Sequence, residues 1–461
     1  MEIKSFRLTH LGRFDELKAD LAPTPEIHSN VTVFIGNNGA GKTSILKALA
    51  TSLSWLVARL RSEKGSGSPI PEGVILNGQA SAKIDVVILD ERGQSNNPDA
   101  DISDYLYCWS LAKTQTGKKA KFQSHLNDAS RLADVYKTAI TNNDQASLPL
   151  IAFYPVERVV LDVPLKIKER HSFLQVDGYD NSLNQGVDFR RFFEWFRERE
   201  DSENESGLPQ DVLDKLLETL GDDTEVWQKL QALMASSRDR QLTAVRSAIS
   251  NFMPGFSNLR VRRKPRLHMS IDKNGQTLNV LQLSQGEKSL MALVGDVARR
   301  LAMMNPALEN PLHGDGVILI DEVDMHLHPR WQRSIIQRLT STFPNCQFIL
   351  TTHSPLVISD HKDVLVYSLD DDDVRQIPSQ YGEDANSVLL NVMDTHSRNA
   401  EIASKLNDLL DLIQSANNSG LISQAKAVLE SLEKELPSNH LELTKARMLL
   451  RRQELKHAQN R

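Results

Sequence analysis

Val31-Thr32-Val33-Phe34-Ile35-Gly36-Asn37-Asn38-Gly39-Ala40-Gly41-Lys42-Thr43-Ser44 joins three signals in one stretch. Its first five residues are mostly β-branched and form a short run, the pattern of a buried strand. From Thr43 onward Ile45, Leu46, Ala48, Leu49, Leu53, Leu56, Val57 and Leu60 recur at helical spacing until Gly65–Pro71 breaks the pattern. Between strand and helix, Gly36 to Thr43 fits GxxxxGK[ST], in the strand–loop–helix context that this motif needs. Glycines there let backbone N–H groups wrap phosphate oxygens at a helix N-terminus. Lys42 would neutralise the β- and γ-phosphates of a nucleoside triphosphate, and the Thr43 hydroxyl would face Mg²⁺. The expected nucleotide-binding residues are Asn37, Asn38, Gly39, Ala40, Gly41, Lys42, Thr43 and Ser44.

Three further motifs complete a site around this loop. Val317-Ile318-Leu319-Ile320-Asp321-Glu322 is an apolar strand pattern ending in two carboxylates, which places acids at the carboxyl end of a strand, where α/β sheets bind ligands. Asp321 is expected to hold Mg²⁺ together with Thr43, and Glu322 to act as general base for the attacking water. Leu283-Ser284-Gln285-Gly286-Glu287-Lys288-Ser289 precedes Leu290, Leu293, Val294, Val297 and Leu301 at helical spacing. Ser284, Gln285, Gly286 and Glu287 would therefore head a second helix N-terminus and a second anion site; the plainer alternative is that Ser284 only caps its own helix. Thr351-Thr352-His353-Ser354-Pro355 follows the strand pattern Phe348–Leu350, so His353 emerges near the carboxylates, where it could sense a γ-phosphate.

Outward from these motifs, Ile3, Phe6, Leu8 and Leu11 read as a strand, as do Ile84, Val86, Val87, Ile88 and Leu89, while Asp90–Asp104 is polar and turn-rich. From about 110 to 250 the composition shifts to polar helices with acidic stretches at Glu198–Glu205 and Gly221–Glu225. Phe189, Phe192, Phe193 and Phe196 recur at three- and four-residue spacing, the mark of a packed helical face. Sheet character returns at Leu259–Ile271, Val317–Ile320, Phe348–Leu350 and Val364–Tyr367, which favours an α/β layered core split in sequence. Leu406, Leu409, Leu410 and Ile413, then Ala425, Val428, Leu429 and Leu432, predict two amphipathic helices joined by a turn at Asn417–Gly420. A third helix follows Pro437. The expected organisation is an N-terminal lobe over 1–110, a helical insertion or lid over 111–255, a C-terminal lobe over 256–396 and a helical docking tail over 397–461.

Composition narrows the classes further. With 461 residues, 40% hydrophobic and 25% charged, the chain has enough apolar surface for a folded core and is neither disordered nor collagen-like. The net charge of -6 means that a polyanion would be met by local patches, not by the global field. Cys108 and Cys346 cannot build a disulfide framework and lack the spacing of a zinc site; buried thiols are expected. The opening MEIKSFRLTHLGRF lacks an uncharged secretion-signal core, and no apolar run approaches the roughly 18 to 20 residues of a membrane span, so the cytoplasm is the default address.

In this order the four motifs resemble the ATP-binding cassette ATPases over most of residues 1 to 370, specifically the soluble branch of Rad50, the RecF-like proteins and the overcoming-lysogenization-defect nucleases. Glu322-Val323-Asp324-Met325-His326-Leu327-His328-Pro329 is similar to the ExDxHLHP stretch of that branch and unlike a transporter. The resemblance implies an α/β head that binds ATP and Mg²⁺ and hydrolyses ATP. It further implies that Ser284 and Gly286 of one copy complete the site containing Lys42, Asp321 and Glu322 of another, with Asp324 in the connecting loop and His353 as the switch histidine. The chain as a whole, including Phe192–Asn204 and Leu443–Leu455, also resembles the ATPase subunit of Septu anti-phage defence, which implies an HNH nuclease partner held in check by nucleotide state. The glutamine that links nucleotide to lid in such ATPases is not placed by the pattern; Gln175 and Gln185 are the candidates.

Two rival classes are weighed against this one. A single-chain nuclease would need a metal-binding domain after the head, but only 108 residues follow His353, and Asp370–Asp373 reads as a charged turn after a strand. A DNA-binding repair clamp would use Arg260, Arg262, Arg263, Lys264, Arg266 and His268, or Lys445, Arg447, Arg451, Arg452 and Lys456. DNA is thus a possible partner, and a neighbouring reverse transcriptase would extend it to the RNA–DNA of a retron.

Overall fold

The computed structural model describes residues 1–94, 105–156, 173–184, 187, 189–206, 239–370, 373–392, 399–415, 419–437 and 440–459. The strands are β1 (Glu2–Leu11), β2 (Phe14–Asp20), β3 (Val31–Gly36), β4 (Ser81–Leu89), β5 (Leu106–Thr114), β6 (Leu150–Tyr154), β7 (Phe256–Arg262), β8 (His268–Lys273), β9 (Gln276–Asn279), β10 (Gly316–Ile320), β11 (Cys346–Thr351), β12 (Leu365–Asp370) and β13 (Asp373–Ile377). The main helices are α1 (Lys42–Arg61), α2 (Asn127–Asn142), α3 (Phe189–Ser206), α4 (Arg240–Phe252), α5 (Gln285–Met304), α6 (Ile335–Thr342), α7 (Ala400–Gln414), α8 (Ser419–Glu435) and α9 (Leu441–Gln459). They fall into two compact units, Met1–Ala385 and Asn386–Arg461.

The first unit is mixed α/β. Its central sheet has the order β13-β12-β3-β11-β10-β6, parallel from β12 to β6 with β13 antiparallel at the edge. Every residue of β6, β10 and β11 is buried, which is why these strands read as unbroken apolar runs without alternation. Register then decides where the site forms. Thr351 pairs with Phe34, and Ile320 pairs with Leu350. The carboxyl ends of β3, β11 and β10 thus lie side by side, with β11 in the middle.

A second sheet, β2-β1-β4-β5, is antiparallel, and its register shifts between Ile3 and Ser5. That bulge accounts for the odd spacing of Ile3 and Phe6, both of which are buried. On β5, Tyr107, Trp109 and Leu111 point inward and Cys108 outward. The expectation of buried thiols is therefore corrected for Cys108, which is exposed because a strand alternates its faces, and holds for Cys346. Leu150–Tyr154, inside the stretch read as a helical insertion, is the strand β6 beside β10; a five-residue apolar run carries no periodicity that separates strand from helix.

Helix α3 buries Phe189, Phe192, Phe193 and Phe196, as its spacing predicts. Part of its acidic face binds neighbouring elements: Glu200 accepts from Arg246 at 2.9 Å and from the Val261 N–H at 2.8 Å, and Glu203 accepts from Arg246 at 2.7 Å. Burial raises the Glu200 carboxyl above its ordinary value despite these donors. Gly221–Glu225 and the polar loop from Ser95 to Asp104 lie outside the described residues. The antiparallel sheet β7-β8-β9 leads into α5.

Helix α5 is buried all round from Ser289 to Met304, and within it Asp296, Arg299 and Arg300 have no exposed surface. Arg299 and Arg300 each donate to Asp296 at 2.7 Å, and the Tyr154 hydroxyl donates to the same carboxylate at 3.0 Å. Arg300 also donates to the carbonyls of Gly178 and Asp180. Burial alone would raise the Asp296 carboxyl, but the two guanidiniums outweigh it and hold the group below its ordinary value.

The core of the second unit is formed by three helices around Leu406, Leu409, Ala425, Leu432, Leu443 and Ala446. Helix α8 already runs at Ser419, so the expected turn at Asn417–Gly420 lies partly outside the described residues and partly within the helix.

Candidate functional site

The phosphate loop opens at the end of β3 and closes on α1. Gly41, at the N-cap of α1, has a φ of 96°. A Cβ at that position would lie 2.5 Å from the Phe14 ring, so both backbone conformation and space call for glycine. Arg13, on the β1–β2 turn, donates to the Gly39 carbonyl at 3.0 Å and holds the loop from outside. Lys42 is buried and folds back over the loop, donating to the Gly36 carbonyl at 2.7 Å and the Asn37 carbonyl at 3.0 Å. Desolvation lowers the ammonium's pKa, against the opposing pull of Glu322, Asp321 and Asp324. That balance suits a cation whose remaining partner is an anion.

The carboxylates meet this loop through hydroxyl groups. Thr43 donates to one oxygen of Asp321 at 2.8 Å, and Thr351 donates to the other at 2.6 Å. The Asp321 N–H is itself fixed on the Tyr154 carbonyl at 2.9 Å. Hard oxygen donors from Thr43 and Asp321 in contact are the ligand chemistry that Mg²⁺ takes. Glu322 has a φ of 44°, in the left-handed region where a non-glycine residue is strained, and its N–H donates to the Thr351 hydroxyl at 2.8 Å. One threonine therefore bonds both the aspartate and the backbone of the glutamate.

His353 stands 3.8 Å from Glu322, nitrogen to oxygen, with both side chains about one-third exposed. Desolvation and the Lys42 charge lower the imidazole's pKa, and Glu322, Asp324 and Asp321 only partly oppose them. Asp324 accepts a short hydrogen bond from the Thr352 hydroxyl, which in turn accepts from the Ser354 N–H. Lys42, Thr43, Asp321, Glu322, Asp324 and His353 are thus gathered at the carboxyl ends of the sheet's central strands, β3, β11 and β10.

Ser284, Gln285, Gly286 and Glu287 are placed differently. Ser284 caps α5: its hydroxyl accepts from the Glu287 N–H, and its own N–H donates to Glu287. Lys273 pairs with Glu287 at 2.7 Å, and although burial raises this carboxyl, the bonds from Lys273 and Ser284 bring it below its ordinary value. The capping box uses those groups locally and leaves the N–H groups of Gln285 and Gly286 unbonded among the described residues. Gly286 is pressed against the loop that follows the carboxylates: a Cβ there would come 2.4 Å from the His326 carbonyl.

The motifs alone do not single out three residues: Thr351, Thr352 and Arg13. A hydroxyl pair at the end of the strand next to the carboxylates was a signal for the first two; only the position of the β1–β2 turn reveals the third. Gln175 donates to the carbonyls of Ala146 and Met304, so it holds backbone together there, and Gln185 lies outside the described residues.

Residues 114–359 match the family model described as AAA domain, putative AbiEii toxin, Type IV TA system. The Retron Vc95 probable ATPase of Vibrio cholerae serotype O1 biovar El Tor is 33% identical over 379 residues, covering 77% of this chain and 71% of that protein. The Retron Ec83 probable ATPase of Escherichia coli is 34% identical over 392 residues, 77% of this chain and 69% of that protein. The chain belongs to this family of retron ATPases. The Septu protein PtuA of Bacillus mycoides (strain KBAB4) is 37% identical over 113 residues, 23% of this chain and 15% of that protein. Among solved structures, the Pyrococcus furiosus Smc head domain with an extended coiled coil, bound to the C-terminal domain of ScpA, aligns over 82% of this chain and 96% of that one at 14% identity and a TM-score of 0.45. No helix of the described residues is long and apolar enough to cross a membrane.

Proposed function

We propose that this chain is the ATP-hydrolysing switch subunit of a cytoplasmic anti-phage defence complex, in which two copies close over ATP and thereby govern a partner HNH nuclease. The observation that carries the reading is Thr351, which bonds the Asp321 carboxylate at 2.6 Å and the Glu322 N–H at 2.8 Å beside a buried Lys42. Such an arrangement would hold Asp321 as a metal ligand and Glu322 as a general base at fixed places next to a phosphate loop.

Loop N–H groups and Lys42 would bind the β- and γ-phosphates. Thr43 and Asp321 would hold Mg²⁺, which when bound neutralises charge on those phosphates. Glu322 would accept the proton of the attacking water, and His353, neutral near pH 7, would lie beside the γ-phosphate. The unbonded N–H groups of Gln285 and Gly286 favour a site shared between copies, since a helix start with free donors attracts an anion that its own chain does not supply.

Mixing two inactive variants tests the shared site. Lys42→Ala and Ser284→Arg each lose hydrolysis alone. Mixed in equal amounts they should recover about a quarter of the wild-type rate, because half the pairs are mixed and each mixed pair keeps one intact site. No recovery would contradict sharing. The nuclease is tested by sequencing the neighbouring gene, which should encode an HNH protein: DNA nicking by the purified pair should change with ATP and stop changing in Lys42→Ala, and a neighbour without an HNH motif would contradict the reading.

A second reading, contact with nucleic acid, is favoured by the exposed cations Arg260, Arg262, Lys264 and Arg266 on and after β7. Binding of duplex DNA or of a retron RNA–DNA should then weaken steeply with salt and lose part of that slope in Arg262→Glu/Lys264→Glu.

A further inference from the structure

Helix α9 has a face that the core of its own unit does not use. Leu443, Ala446 and Leu450 are buried against α7 and α8, whereas Leu441, Met448 and Leu455 are 78%, 69% and 59% exposed. These three lie seven residues apart, so on a helix of about 100° per residue they form one line within about 20° of Met448. Lys445 and Arg452 lie about 40° to 60° to one side of that line and Arg451 about 60° to the other. All three cations are exposed, and no ion pair engages them among the described residues. The nearby charges that are paired point elsewhere: Arg447 binds Glu433 and Glu454 binds Lys426, both at 2.6 Å and both toward α8. Within the arc from Arg451 to Lys445 there is no acidic residue; Glu442 and Glu454 lie about 120° from Met448.

We infer that this face of α9 docks a helix of a different protein, one that sets acidic residues on both sides of an apolar seam. Charge selects the occupant. A second copy seated antiparallel, with Met448 on Met448 and Leu441 on Leu455, would put Lys445 against Arg452, and a parallel pair would set Arg452 against Arg451. A membrane surface calls for a broad apolar face with aromatic residues, whereas this seam is one residue wide and has none. A phosphate backbone would meet leucine and methionine along the centre line, where neither offers a donor. An acidic amphipathic helix satisfies seam and cations together, the seam supplying burial and the flanks supplying register. The surface is defined by this chemistry and holds whether or not the partner is the nuclease proposed above.

The test places the photo-crosslinking residue p-benzoylphenylalanine at Met448 of the full chain, in cells that express the whole defence system, and identifies the adduct by mass spectrometry. The expected result is an adduct with a different protein, through a segment carrying Asp or Glu at three- and four-residue spacing around apolar residues. That adduct should be lost when Lys445→Glu/Arg452→Glu is added, with the ATP hydrolysis rate and the melting temperature unchanged. An adduct with a second copy of this chain, with nucleic acid or lipid, with a segment lacking such acids, or no adduct at all, overturns the inference. The protein captured separately reports whether the partner is a nuclease.

Discussion

Thr351→Val is the substitution that most sharply separates positioning from binding in this site. Valine keeps the shape and the buried apolar contact but removes the hydroxyl, and with it the bond to Asp321 and the acceptor for the Glu322 N–H. A hydrogen bond to a charged group contributes about 1.5–3 kcal/mol, and an N–H left without an acceptor costs about 1–3 kcal/mol. Glu322 is already strained at a φ of 44°, a conformation that costs on the order of 1–3 kcal/mol and persists only while its surroundings hold it. Losing about 1–3 kcal/mol of that hold leaves the proposed base correctly placed in roughly 5- to 150-fold fewer molecules. Steady-state phosphate release should therefore fall by that factor in kcat, with ATP affinity within about threefold of wild type, since Lys42 and the glycine loop are untouched. Thr351→Ser, which keeps the hydroxyl, should stay near wild type. A Thr351→Val enzyme with kcat within twofold of wild type would refute the claim that this hydroxyl positions Glu322, the proposed general base.

Other predictions follow from the same geometry. Asp296→Asn removes the carboxylate that Arg299 and Arg300 share in a fully buried site and should destabilise the fold by about 3–5 kcal/mol in urea titration; Tyr154→Phe removes one hydrogen bond and should cost about 1–2 kcal/mol. Because the His353 imidazole is held below its ordinary value of 6.5, the unfolded chain takes up this proton first as pH falls. This group therefore lowers stability only on the acid side of that value. Activity should show an acid limb with an apparent pKa under 6.5, absent in His353→Gln; an identical limb in that variant would assign the titration elsewhere. Gly286→Ala, whose Cβ would meet the His326 carbonyl at 2.4 Å, should lower hydrolysis at least tenfold without altering the affinity of the isolated chain for ATP. A switch ATPase profits from long-lived ATP states, so wild-type turnover should stay below about 10 per second, the ordinary enzyme median.

Much of the sheet and of the site was legible in the residues because the physics there is local. Val31–Ile35 and Val317–Ile320 are buried on both faces, so composition alone marks them; the glycines, Lys42 and the paired acids then sit at fixed offsets from the strand ends. What stayed hidden depends on pairing. Nothing in Leu150–Tyr154 says that it lies beside β10, and only the order β3-β11-β10 places Thr351 between the phosphate loop and the carboxylates. Arg13 reaches Gly39 from a turn 26 residues earlier in the chain, a contact that no local pattern encodes. Cys108 looked buried by residue type and is exposed because of strand phase.

In the proposed mechanism two copies grip each triphosphate jointly. The most direct measurement is the mass of Glu322→Gln in solution, by size-exclusion chromatography with light scattering, with and without ATP and Mg²⁺. ATP should double the mass of Glu322→Gln from its nucleotide-free value, and adding Ser284→Arg should abolish the shift. A mass unchanged by ATP, or a doubled mass indifferent to Ser284→Arg, would contradict it.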